Sequence, residues 1–219
     1  MFFLRVFVPS WLILFSFGCA VSPPQRVTKT PTIAITIDLC PSSKPYEAKL
    51  FKYLSSLRAP VAVCVSGRWI ERHEQELEAI KEMNLNITWV NHSYSHPVSD
   101  DFLNNPKVDF RYEVLHNVNV MRNHHLVVSK YFRFPGLRHN KQRLTALAKM
   151  GYVSLDADAW LGKGLWRAKS SQQPIKNGSI VLIHGNGNEN KGVVDKFINY
   201  LKSNKVEIVS LDTLLKRIN

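Results

Sequence analysis

The sequence is short of acidic residues, of cysteine and of long apolar runs, and each shortage narrows what the chain can be. Its 17 Asp and Glu face 29 Lys and Arg, a formal net charge of +12, so the surface field favours anionic surroundings. That charge does not name a partner. The basic residues are scattered over many expected faces with no basic run carrying interleaved aromatics, which speaks against nucleic-acid binding. Only three cysteines occur among 219 residues, and at roughly 100–200 residues per domain this length fits one large domain, not a small disulfide-stapled scaffold. There is no internal repeat and no low-complexity tract, and 45% hydrophobic against 21% charged residues is enough apolar matter for a core. Wholesale disorder is excluded. A phosphate loop is absent too: Gly185-Asn186-Gly187-Asn188 lacks the Lys-Ser/Thr ending and reads as a turn.

The single long apolar run is at the start. Met1 to Gly18 has Arg5 as its only charge and is interrupted by Pro9, the pattern of an export signal and not of a core element. A membrane span needs about 20 apolar residues, and this run stops at Gly18-Cys19-Ala20; one membrane-anchored helix is the weaker alternative. Gly-Cys at the end of such a segment resembles a bacterial lipoprotein cleavage site, with a lipid on Cys19. Ser16 and Phe17 depart from that pattern, so ordinary cleavage after Ala20 competes with it. Residues 1–19 are thus expected to be a signal, 20–31 (three prolines, no apolar periodicity) a linker, and 32–219 the folded domain.

Within that domain, apolar strands alternate with helices. Thr32–Asp38, Val61–Val65, Ile87–Val90, Tyr131–Phe134, Tyr152–Leu155, Ile180–Ile183 and Val206–Ser210 read as strands. Helical spacing marks Pro45–Leu57, with Ser42 or Ser43 as cap, Glu71–Met83, Val108–Val128, a helix around Leu144–Ala148, and one near Val193–Leu201. Such alternation implies an α/β fold with a mostly parallel sheet, whose chemistry sits at the carboxyl ends of the strands.

Those ends carry Asp38, His92 with His96, Arg133, Asp156 with Asp158, and His184. Two imidazoles a few residues apart leaving one strand can turn toward one metal ion, and neutral imidazole suits zinc. Asp38 can serve as a general base or cap the next helix; His184 can protonate a leaving group or sit satisfied beneath a turn; Arg133 can orient the base or form a structural ion pair. Each taken alone is weak, and their order along the chain carries more.

That order resembles the polysaccharide deacetylases, carbohydrate esterase family four. The family's T-F-D-D-G motif is partly matched by Thr36-Ile37-Asp38-Leu39-Cys40, H-S-x-x-H-P fully by His92 to Pro97, and F-R-x-P by Phe132 to Pro135. An Asp near Trp is loosely present in Asp156-Ala157-Asp158-Ala159-Trp160, and L-x-H in Leu182-Ile183-His184. The resemblance implies a distorted (β/α) barrel that removes acetyl groups from N-acetylated sugars with a divalent metal, commonly zinc. Carried over, Asp38 is the base, His92 and His96 are metal ligands and His184 is the acid. Arg133 and an Asp of the 156–158 pair, taken as Asp158, hold the base, while Trp160 and Leu182 line the acetyl pocket.

The match breaks at Leu39, where the family has its third protein ligand. Cys40 lies two residues beyond Asp38, hence on the same strand face, and its thiolate would suit zinc. Export also permits a Cys40–Cys64 disulfide, the favoured of these two readings. Asp38 itself, Asp100 or Asp101 are the other candidates for the missing ligand. The expected function is therefore an exported hydrolase of a carbon–nitrogen bond other than a peptide bond, acting on an N-acetylated polysaccharide or peptidoglycan-like glycan in the periplasm or cell envelope. Membrane contact would come only through the signal or a lipid anchor. Leu39 motivates the alternative of a catalytically impaired carbohydrate-binding protein on the same scaffold; hydrolysis of another amide or ester by the same site is the third.

Overall fold

A computed structural model describes residues 30–97, 105, 107–161, 167–168, 175–186 and 191–218. The signal, Cys19, nearly all of the linker, Asp100, Asp101, Gly187 and Asn188 lie outside the described residues. Among the described residues one sheet holds β1 (Thr32–Leu39), β2 (Pro60–Val65), β3 (Asn86–Asn91), β4 (Val128–Phe132), β5 (Val153–Ser154), β6 (Ala159–Leu161), β7 (Arg167–Ala168), β8 (Ser179–His184) and β9 (Glu207–Ile208). Their order is β5-β4-β3-β2-β1-β8-β6-β7, with β9 also paired to β1. Every pairing is parallel except β6 with β7.

Among the described residues the α-helices are α1 (Ala48–Ser56), α2 (Gly67–Arg72), α3 (Glu74–Lys81), α4 (Phe110–Asn123), α5 (Lys141–Lys149), α6 (Lys191–Ser203) and α7 (Leu211–Ile218). No helix among the described residues is long and apolar enough to cross a membrane.

The two-residue period of the strands sorts their side chains. On β1, Ile33, Ile35, Ile37 and Leu39 face outward into the largest core, with Val61, Val63 and Val65 of β2, Val181 and Ile183 of β8, and Leu50, Phe51 and Leu54 of α1. The opposite face carries Ala34, Ala62, Cys64, Val90, Tyr131 and Leu155, and it is covered by Val209, Leu211 and Leu214. Helix α7 therefore packs on β1 and β2 and closes the interior near the strands' amino ends. A third cluster sets Phe110 and Val114 of α4 against Phe132, Phe134 and Leu147. This parallel sheet with helices around it is the barrel-like α/β architecture expected from the strand-helix alternation.

Several elements differ from the sequence expectation. The helix expected over Glu71–Met83 is two helices, broken where His73 takes φ −131° and ψ 44°; its buried imidazole donates from Nε2 to the Ser42 carbonyl at 2.8 Å. Neither Ser42 nor Ser43 caps α1. The helix starts at Ala48 after Glu47, with no side-chain cap, because Ser42 Oγ accepts from Lys44 N instead. Strand β4 begins three residues earlier than expected, at Val128. Strands β6 and β7 and helix α7 lie outside the sequence expectation: β6 is only three residues long, too short to display a period, and α7 is separated from β9 only by Val209 and Ser210.

Candidate functional site

Asp38, Cys40, Cys64, His92, Arg133, Leu182 and His184 have the parity of the interior positions on their strands, so the alternation that builds the core also gathers the polar groups. Asp38 lies beside Cys64 on β2 and beside His184 on β8 in the strand register. Asp38, His92 and Arg133 are buried, at 3%, 1% and 0% exposure. Buried charge requires compensation. Arg133 Nη1 donates to Asp38 Oδ1 at 3.0 Å and to Thr36 Oγ1 at 2.8 Å, while its Nε donates to the Leu155 carbonyl at 3.2 Å. Thr36 Oγ1 in turn donates to the Val181 carbonyl oxygen. Burial alone pushes the Asp38 carboxyl up, but Arg133, then His92, His184 and the Cys64 thiol, together bring it below the usual carboxylate range. Asp38 is thus held ionised inside the barrel.

His92 Nδ1 lies 2.9 Å from the Arg133 carbonyl oxygen. A carbonyl can only accept, so Nδ1 carries the proton and Nε2 presents a bare lone pair. That nitrogen faces Cys40 Sγ at 3.6 Å and Asp38 Oδ2 at 3.8 Å. The His96 ring stands edge-on to His92, with centroids 4.7 Å apart. Burial lowers the pKa of both imidazoles, His96 down to about 3 with the neighbouring His92 adding to the effect; both are neutral and fit to ligate. One atom each from Cys40, His92 and His96 lies within 4.8 Å of the others. A fixed tautomer, two neutral imidazoles and a thiol converging this closely fit a divalent metal.

The loop carrying the histidines is pinned from below. Asn91 Oδ1 accepts from Ser93 N at 3.0 Å and from Asn117 Nδ2 at 2.8 Å, and Asn117 Nδ2 also donates to the Val65 carbonyl. Glu113 accepts from both the backbone and the hydroxyl of Ser95. Ser93 and His96 take left-handed φ values of 63° and 54°, which these bonds hold in place. Gly67 is required beside this loop, since a Cβ there would overlap the Tyr94 ring and Asn117 Oδ1. Asn117 and Glu113 were missed in the sequence. The available signal was their spacing: both fall on the buried α4 stripe with Phe110, Val114 and Met121, and a polar group on such a stripe needs a partner.

Two sequence expectations require correction. Cys40 and Cys64 are free thiols, not a disulfide. Cys64 lies opposite Asp38 in the register, so Cys40 is displaced two residues up the neighbouring strand. That diagonal is roughly 8 Å between Cα atoms from the strand rise and spacing, beyond the 4.4–6.8 Å range about which disulfides form. The protonated Cys64 thiol instead donates a hydrogen bond to the Asp38 carboxylate. Asp158 does not meet Arg133: it is exposed, and its Oδ1 accepts from Ile180 N at 2.7 Å. Of the 156–158 pair, the aspartate whose charge acts on Arg133, after that of Asp38, is Asp156, which also accepts from His139 Nε2 at 3.1 Å. The position that separates Asp158 from Asp156 by two residues also moves it to a different neighbour strand.

Trp160 is paired in register with Leu182; Leu182 is buried and Trp160 is 38% exposed, leaving its indole open to a ligand. Leu39 belongs to the outward core and is fully buried there. Cys40, by contrast, is held toward the site, its carbonyl accepting from Asn186 Nδ2 at 2.7 Å.

The fold and these strand ends define a parallel α/β barrel whose polar centre lies at the carboxyl end of its strands. A family model described as polysaccharide deacetylase matches residues 25–155, and the chain belongs to that family. Its structure is similar to that of a family 4 carbohydrate esterase from Bacillus anthracis, with TM-score 0.65 and 24% identity over 86% of this chain and 84% of that one. It is also similar to a peptidoglycan deacetylase from Bacillus subtilis, with TM-score 0.63 and 14% identity over 86% and 91%. A third similar structure is a family 4 pseudoenzyme from Bacillus anthracis, with TM-score 0.67 and 16% identity over 85% and 66%. At these identities the likeness is one of fold.

Proposed function

We propose that this protein is an exported, metal-dependent hydrolase that removes N-acetyl groups from a cell-envelope glycan. The observation that carries this reading is the buried Asp38 carboxylate, kept ionised by Arg133 at 3.0 Å and set 3.8 Å from His92. His92 and His96 would hold the divalent metal, with zinc the cation suited to neutral imidazoles. Bound there, it supplies Lewis-acid polarisation of the acetamide carbonyl.

The chain's own residues do the rest. Asp38 accepts the proton of the attacking water, and Arg133 positions it without touching substrate. His184, beside Asp38 in the strand register, donates the proton taken up by the departing amine. Trp160 and Leu182 flank the acetyl methyl. The excess of Lys and Arg suits an anionic envelope polymer, and a lipid on Cys19 would tether the domain beside it. Among structural relatives, the Bacillus subtilis protein is a peptidoglycan deacetylase, which supports a peptidoglycan-like substrate here.

The test is acetate release from N-acetylglucosamine oligomers and from peptidoglycan. The wild type should release acetate, and Asp38→Asn should lower the rate by about 10²–10⁴-fold, the usual worth of a general base. Unchanged release in Asp38→Asn would overturn the role of Asp38, and no release from any N-acetylated glycan would overturn the activity. Leu39, in place of the family's ligand, favours a second reading: a glycan-binding protein without catalysis. Glycan binding by a protein that never holds stoichiometric metal would establish it.

A further inference from the structure

The deacetylase reading leaves the metal one protein ligand short, and the structure offers a specific replacement. We infer that Cys40 is the third protein ligand, so that the centre is a Cys-His-His site with a thiolate where the family has a carboxylate. This inference rests on the reading that the site binds a metal, and it deepens that reading.

Three observations carry it. First, strand alternation puts Leu39 into the outward core and Cys40 on the face of Asp38; the family's ligand position is lost, and the next residue takes over its neighbourhood. Second, Cys40 Sγ lies 3.6 Å from the unprotonated His92 Nε2, and with His96 the three donor atoms all lie within 4.8 Å of one another. Ligands of a tetrahedral zinc bound at 2.0–2.3 Å stand about 3.3–3.8 Å apart, so only small side-chain adjustments close the triangle. Third, the thiol is anchored: Asn186 Nδ2 donates to the Cys40 carbonyl, Ser66 Oγ to the Leu39 carbonyl, and Pro41 follows. A cysteine fixed at both flanks and turned toward two imidazoles is not a lone surface thiol.

The competing uses of this thiol are disfavoured. A disulfide to Cys64 is ruled out by the register offset already described. Asp38, the other candidate ligand among the described residues, has its Oδ1 engaged by Arg133. A thiolate with two imidazoles is a soft donor set, which selects zinc over the oxygen-preferring magnesium, calcium and manganese.

The experiment is reconstitution of the purified protein with cobalt(II) as a spectroscopic stand-in for zinc, alongside zinc titration. The wild type should bind about one equivalent and show sulfur-to-cobalt charge-transfer absorption in the near ultraviolet. Cys40→Ser should abolish that absorption and weaken zinc binding on the order of 100-fold, whereas Cys64→Ser should keep it. Cys40→Asp guards against misfolding: it should bind metal with no sulfur band. A wild-type protein that binds cobalt without the band, or that binds no metal, overturns the inference, as does a Cys40→Ser variant with unchanged zinc affinity. Acetate release without a sulfur band would sink the ligation and spare the deacetylase. A sulfur band with no acetate release would do the reverse.

Discussion

The two ends of the barrel interior are built from the same strands and the same face, yet they are chemically opposite. Along β1 the inward positions run Ala34, Thr36, Asp38 and then Cys40 just past the strand; along β2 they run Ala62 and Cys64. At the amino ends the small alanines accept Leu211 and Leu214 of α7. At the carboxyl ends the positions turn polar and are joined by His92, Arg133 and His184. One end is held by area removed from water and the other by paired charge, and these fail in different ways.

The largest effect is expected at the charged end. Arg133→Ala removes the partner of a buried carboxylate and should cost about 3–5 kcal/mol of stability in urea unfolding; a loss below about 1 kcal/mol would mean that Asp38 does not depend on it. Leu214→Ala at the apolar end should cost about 2–4 kcal/mol through the cavity it leaves. Metal bound per folded molecule should nevertheless match the wild type, and a drop would show that the two ends are not independent. Asn117→Ala sits between the two, stripping donors from the Val65 carbonyl and Asn91 Oδ1, and should cost about 1–3 kcal/mol. It should also weaken metal binding by loosening the His92–His96 loop, unlike Leu214→Ala.

The smallest effect is acid sensitivity of the metal-free protein. His96 and His92 are depressed below the ordinary histidine pKa by burial. The unfolded chain therefore takes up protons that the folded chain refuses, and stability is full above about pH 6.5 and lost progressively as pH falls below it. Asp38, also depressed, adds a further loss at lower pH in the same direction. Saturating zinc should raise the urea midpoint and make its fall steeper as pH drops through about 6, because the ion competes with protons for these ligands; identical curves with and without zinc would contradict ligation by these histidines.

The same contrast explains what could be read from the sequence. Strands such as Thr32–Leu39 are long, β-branched runs that end on ionisable groups, and both their identity and the polar cluster were legible from the pattern. What escaped was set by tertiary neighbours. Asp156 and Asp158 differ in which strand each one meets, and spacing cannot decide that. The Cys40–Cys64 pairing looked permissible until the register of β1 against β2 placed Asp38, not Cys40, opposite Cys64. Glu113 and Asn117 read as ordinary helix residues, because their partners, Ser95 and Asn91, lie 18 and 26 positions away.

Strand β1 opens the described fold, yet two of its three neighbours, β8 and β9, come from the last fifth of the chain. The Thr36 hydroxyl, which supports Arg133 under Asp38, bonds a carbonyl 145 residues away. Contacts this distant in sequence make for slow assembly. The half of the centre made by β2, β3 and β4 can form early, whereas His184 joins it only after β8 inserts beside β1. A nascent chain therefore carries His92 and His96 before it carries His184, so that under the proposed function the ligating loop would be complete before the proton donor arrives.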